Sequence, residues 1–222
     1  MPDLSNRDEL ERDFARKLGK LQAKQLRRIV ELLGDPPDIT RITPEVWDEV
    51  GQELRKVLQP GLESVFLVAA ETLLDSVVIG VDWALVNDAA ASWASEHAGH
   101  LFEDIVKTKR KIVTRAVESF YRDGLTIGEV EQKLMRAFGP VNANMIASTE
   151  ITNAAVQGEL AVVEELRKQG AKMRAFWQTN VDEKVCPICA PLDGTEQGKE
   201  WTTPPPAHVR CRCWLNHEFV SF

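Results

Sequence analysis

The sequence predicts a mainly α protein, a multi-helix body followed by a small C-terminal strand-and-loop module of the zinc-knuckle kind. Three observations lead there. Apolar residues recur at three- and four-residue spacings through most of the first 169 positions, punctuated by Gly and Pro clusters. All four cysteines lie beyond residue 185. Between these regions, Lys172 to Thr179 alternates as a strand does.

The elements follow in order. Ser5-Asn6-Arg7-Asp8 resembles a capping box, and Leu10, Phe14, Leu18, Leu21, Ile29 and Leu32 make one stripe of an amphipathic helix of about 28 residues. Arg12, Arg16, Lys20, Lys24 and Arg27 mark its charged face, and Gly34-Asp35-Pro36-Pro37 stops it. Thr43 before Pro44 is an N-cap followed by proline at the first helical position, opening a helix that Gln59-Pro60-Gly61 is expected to end. A third helix is expected from Leu62 to Ile79, with Gly80-Val81-Asp82 as the break.

Trp83 to Glu96 reads as an alanine-rich helix, and Gly99 as an interruption that leaves His97 and His100 as helix-end histidines. Leu101 to Arg122 follows as a long helix. It holds the densest positive cluster, with Lys107, Lys109, Arg110 and Lys111 as candidate contacts to a phosphate or an acidic partner. Gly124 closes it, and Thr126-Ile127-Gly128-Glu129 is a capping box for a helix ending at Gly139-Pro140. The last helix runs from Val141 to Gln169, with Gly170 as its cap. Two regions are expected: 1–96, an N-terminal helical region that could serve for docking, and 97–222, long helices with a Cys/His knuckle.

Composition sets limits. Hydrophobic content of 44% with 27% charge is ordinary for a globular protein. A net charge of -7 argues against coating nucleic acid by charge alone. No run of about eighteen apolar residues suggests a membrane span. A Gly-rich phosphate loop and a Gly-x-Ser-x-Gly elbow are both missing, so no catalytic residue is assigned.

The chemistry sits at the end of the chain. Cys186-Pro187-Ile188-Cys189 sets two thiols on one tight turn, and His208-x-x-Cys211-x-Cys213 brings three further ligands. Tetrahedral zinc takes four. Cys186, Cys189, His208 and Cys211 repeat a three-residue offset; an all-cysteine set with Cys213 in place of His208 is the rival, and a pair of disulfides is the reading without metal. The chain opens Met1-Pro2-Asp3-Leu4 with no apolar leader, which favours a reducing compartment, and so structural Zn2+ over disulfides. A metal nuclease needs another histidine on the hairpin, and none lies between Cys189 and His208.

Thr149-Glu150 with Asn153 and Gly158, then Trp177-Gln178-Thr179-x-x-Asp182, Cys186-x-x-Cys189, Leu192-Asp193-Gly194, Trp201 and Pro204-Pro205-Pro206-x-His208-x-x-Cys211-Arg212-Cys213, together resemble the head morphogenesis family of tailed-phage minor head proteins, of which phage Mu protein F is the type. The resemblance covers roughly His97 to Leu215. It implies a structural, non-enzymatic protein of the virion, assembled in the host cytoplasm and set in the capsid interior or at the portal vertex. Its implied partners are the portal protein, scaffolding or major capsid protein, and genomic DNA. It also marks Thr149, Glu150, Trp177, Asp182 and Arg212 as structural motif residues. Where the family usually has an arginine before the Thr-Glu pair, this chain has Ser148, so that arginine's role does not carry over. Asp182 and Arg212, each beside a ligand pair, are candidates for an ion pair bracing the knuckle, with unrelated surface charges as the alternative. The alternative function is a zinc-dependent nucleic-acid-binding or nuclease module.

Overall fold

The computed structural model describes residues 4, 6–77, 80–180 and 185–221. Five α-helices, α1 Arg7–Leu33, α2 Pro44–Asp75, α3 Trp83–Asp123, α4 Ile127–Phe138 and α5 Pro140–Lys168, are followed by two strands, β1 Lys172–Gln178 and β2 Trp214–Ser221. This is the mainly helical architecture with a C-terminal strand-and-loop module that the sequence predicts. Ser5, part of the expected capping box, lies outside the described residues.

The chain divides into two compact units, one of Met1–Glu11, Gly61–Ala94 and Met145–Phe222, the other of Arg12–Pro60 and Ser95–Asn144. Each unit draws on residues from both sides of residue 96. In the second unit the core joins Leu26, Ile29 and Leu33 of α1 to Trp47 of α2, Val113 and Val117 of α3, and Leu134 and Phe138 of α4. The α1 stripe is therefore packing surface. α4 begins as its sequence dictates: the Thr126 hydroxyl accepts from the Glu129 N–H at 3.3 Å, and the Glu129 carboxylate accepts from the Thr126 N–H at 2.7 Å.

In the first unit, Phe66, Ala70 and Leu73 of α2 pack with Val86 and Ala90 of α3 and with Val162, Val163 and Leu166 of α5. From Glu150 to Val156 only Asn153 escapes burial, so this part of α5 is a central helix with no solvent face. β1 and β2 pair antiparallel, with Ala175 opposite His217 and Trp177 opposite Leu215. Met173, Ala175 and Trp177 point to the buried face, as the period of two requires.

Two expected breaks do not occur. Pro60 lies inside α2, which continues to Asp75. A proline there forfeits one backbone hydrogen bond and costs about 3 kcal/mol. Leu54, Leu58 and Leu62 flank it and are completely buried; at about 1.5–3 kcal/mol each, their burial offsets that loss. Gly99 likewise sits within α3. Its penalty relative to alanine is about 1 kcal/mol, and Ala94 and Ala98 are fully buried beside it. α2 has the length and composition of a membrane-crossing helix, but Leu54, Leu58, Leu62, Val65, Phe66 and Leu73 are all buried inside the protein.

Candidate metal centre

The knuckle is built on β1. The segment from Asp193 to Gln197 lies along the strand's second edge: the Trp177 N–H donates to the Thr195 carbonyl (3.0 Å), the Gly194 N–H to the Trp177 carbonyl (2.8 Å), and the Gln197 N–H to the Ala175 carbonyl (2.9 Å). Gly194 adopts φ 72°, the left-handed turn that Asp193-Gly194 announces in the sequence. Asp193 Oδ1 then accepts from both the backbone N–H (2.7 Å) and the hydroxyl (2.9 Å) of Thr179. Trp177 meets Trp201 edge-on at 5.4 Å between centroids. With Val156, Leu215 and the cysteines these two indoles make a small core. Trp177 is thus packed at the base of the knuckle.

Five side chains converge above this core. Cys186, Cys189 and His208 form one group with all ligand atoms within 4.8 Å of one another, and Cys189, Cys211 and Cys213 form another. Cys189 belongs to both. The Cys189 and Cys211 sulfurs lie 3.8 Å apart, which matches the edge of a tetrahedron with bonds of about 2.3 Å from zinc to sulfur. His208 Nε2 stands 2.9 Å from the Cys186 sulfur and 3.3 Å from that of Cys189. Its Nδ1 is 2.8 Å from the Val209 carbonyl. A proton on Nδ1 satisfies that oxygen and leaves the Nε2 lone pair facing the thiols, the tautomer a metal requires. The Cys189 N–H donates to the Cys186 sulfur at 3.4 Å, a contact that favours thiolate. The cluster has the donors and spacing to hold a metal ion.

Electrostatics agree with that reading. The Cys211 thiol is pulled down to about 5, first by its hydrogen bond with Cys213. Cys189 is pushed up to about 12 by burial and by the neighbouring Cys211 charge, and the hydrogen bond to Cys211 together with burial raises Cys213. Burial lifts Cys186, yet the N–H and side-chain hydrogen bonds from Cys189 outweigh it and the net shift is downward. The Val209 carbonyl raises His208. Without a cation, then, several thiols crowd one point but do not ionise together. A divalent ion removes that conflict.

α5 fixes the second ligand turn. The Thr149 hydroxyl donates to the Met145 carbonyl (2.8 Å) and accepts from the Arg210 N–H (2.8 Å). Arg210 has φ 64°, a left-handed conformation uncommon for a side-chain-bearing residue, and the Thr149 bond holds it there. One turn further, the Thr152 hydroxyl donates to the Cys211 carbonyl (2.7 Å). Thr152 was not singled out from the sequence; its i+3 spacing from Thr149, which sets both hydroxyls on one face, was the available signal. Glu150 is buried on α5.

The candidate partner of Arg212, Asp182, lies outside the described residues. Arg212 reaches the start of α1: Nε donates to Glu11 Oε1 at 3.0 Å and Nη2 to Asp8 Oδ1. His217, the histidine that follows the knuckle, has no exposed side-chain surface and pairs with Glu159 at 3.2 Å.

The basic cluster on α3 is divided. Lys107, Arg110 and Lys111 are exposed, whereas Lys109 is 1% exposed. Lys109 is therefore corrected from partner contact to core residue. The reason is its helix position: it shares the inward face of α3 with Val113 and Ala116. Its ammonium donates to Gln25 Oε1 at 2.9 Å and lies 4.2 Å from the Phe138 ring centroid. Burial lowers its pKa to about 7, against a weaker opposing pull from Glu53. Between that value and the ordinary lysine range the unfolded chain binds a proton that the folded one does not, so stability rises with pH there and falls as pH drops towards 7. Chemical denaturation from pH 7.5 to 9.5 should show the native chain gaining roughly 2–3 kcal/mol relative to Lys109→Met. Parallel curves would place the ammonium in water.

A helical scaffold closed by a Cys/His knuckle is the class of protein defined by these features. Residues 107–216, just under half of the chain, match the family model described as Phage Mu protein F like protein, and over that stretch the chain carries a domain of this family. A stretch of 94 residues is also 37% identical to manganese-exporting P-type ATPases of Mycobacterium bovis and Mycobacterium tuberculosis. It covers 42% of this chain and 12% of those proteins, so the chain spans about an eighth of their length. No solved structure matches the chain.

Proposed function

We propose that the chain is a structural minor head protein of a tailed phage, held in the virion head and associated with the portal during procapsid assembly, genome packaging or delivery. The observation that carries this reading is the family match, which spans the whole of the Cys/His cluster and its supporting threonines. The cluster is a structural zinc site in this proposal, with Cys189 central. Four or five protein donors leave no position for a reacting water, and catalytic zinc needs one. This favours a non-enzymatic role over a nuclease.

The N-terminal region 1–96 is the docking part in this reading. The inward stripe of α1 is occupied by core contacts, so a partner would meet its outward basic face, where Arg12, Lys20 and Arg27 are exposed. The portal protein is the first partner proposed; scaffolding protein, major capsid protein and genomic DNA are further ones. Zinc analysis of purified protein should return about one ion per chain, and the chain should sediment with portal-containing procapsids. Zinc content near zero in folded protein rejects the metal, and absence from procapsids rejects the role.

A further inference from the structure

The first turn of α1 is bound to the backbone that carries the ligands. Arg7, 2% exposed, donates from Nη1 to the Thr152 hydroxyl at 2.7 Å, and that hydroxyl donates onward to the carbonyl of Cys211 at 2.7 Å. Arg212, the residue between Cys211 and Cys213, holds Glu11 and Asp8. Three side chains at the start of α1 thus address two consecutive residues, Cys211 through Thr152 and Arg212 directly, and Cys211 is a candidate ligand. Glu11 is the stronger of the two acids, because its side chain is 17% exposed against 74% for Asp8 and solvent screens the latter. Arg7 to Glu11 belong to the same compact unit as the knuckle, which divides from the rest of α1 at Arg12.

We propose that metal loading of the knuckle and docking of this first helical turn are one linked equilibrium, so that loss of the metal releases the start of α1. The physical basis is reciprocity. Bound metal fixes Cys211, which sets the position of its carbonyl and of the adjacent Arg212. A turn that binds better to that arrangement must in return tighten the metal by the same factor. The linkage rests on the reading of the cluster as a metal site, and it makes the N-terminal region a responsive element of the knuckle.

The test uses the full chain loaded with zinc. Release to an excess of a chromophoric chelator should be roughly ten-fold faster for Asp8→Asn/Glu11→Gln than for the native chain, the size expected of a modest coupling. Glu9→Gln, which removes an exposed charge from the same turn, should release zinc at the native rate. Hydrogen exchange should show residues 6–12 losing protection when zinc is stripped, while the amides of α4 keep theirs. Equal release rates with unchanged exchange, in a chain that does bind zinc, overturn the linkage alone. A double-variant effect matched by Glu9→Gln also overturns it, since net charge would then be the cause. A native chain that takes up no zinc overturns the metal reading and the linkage with it.

Discussion

Cys189→Ser is expected to abolish zinc retention and to unfold the knuckle while the helices persist. Cys189 is the one candidate ligand common to both groups, and its sulfur is buried with those of Cys211 and Cys213. Serine supplies a neutral hydroxyl where the proposed site needs a thiolate, so the ion loses its central donor. In segments this short the binding energy of the metal is most of the folding energy, on the order of 10 kcal/mol. Without it, the small core around Trp177 and Trp201 is left to close the long excursion from Gln178 to Trp214 unaided. Near-ultraviolet circular dichroism should lose the share of the indole signal that comes from the Trp177–Trp201 pair, far-ultraviolet helix content should change little, and zinc content should fall to near zero. A Cys189→Ser chain that keeps both its zinc and its full native indole signal would contradict the assignment. Cys213→Ser should be milder if His208 completes the set, and equally severe if Cys213 is the fourth ligand.

The sequence announced the parts of this site that depend on local chemistry. Cys-x-x-Cys, His-x-x-Cys-x-Cys and Asp193-Gly194 each specify a turn through a few adjacent residues, and each is found where its residue types require. What sequence reading missed depends on partners far along the chain. The sequence analysis assigns no element to β2, since Trp214 to Ser221 alternates poorly; only the need of β1 for a partner, because a lone strand is not stable, points to it. The contacts of Arg212 with Asp8 and Glu11 span some two hundred positions. No spacing rule reaches that far. The expected breaks at Pro60 and Gly99 failed for the opposite reason: local propensity is a term of about 1–3 kcal/mol, and burial of flanking leucines and alanines exceeds it. Lys109 shows the same limit from the charge side. In the run Lys107-Thr108-Lys109-Arg110-Lys111 all four cations look alike, and only the packed face of α3 decides which of them is buried.

Gly158 joins these two lines of argument, and its replacement by alanine is expected to cost more than any surface change in the protein. It lies in the buried stretch of α5, where the helix runs against α2. A Cβ at this position would stand 2.1 Å from the carbonyl oxygen of Phe66 and 2.9 Å from its carbonyl carbon. Both are backbone atoms, so no rotamer change can relieve the contact; one helix must move. In an ordinary helix alanine would be favoured over glycine by about 1 kcal/mol. Here that gain is overwhelmed by overpacking, and a net loss of about 3 kcal/mol is expected. The displacement should also reach the site, since Thr149 and Thr152 lie within three turns of Gly158 on the same helix and hold the Arg210 and Cys211 backbone. Equilibrium denaturation and zinc release should therefore change together in Gly158→Ala. Native stability in that variant would mean that α2 and α5 do not meet at Phe66, whereas lost stability with native zinc release would mean that α5 transmits nothing to the knuckle.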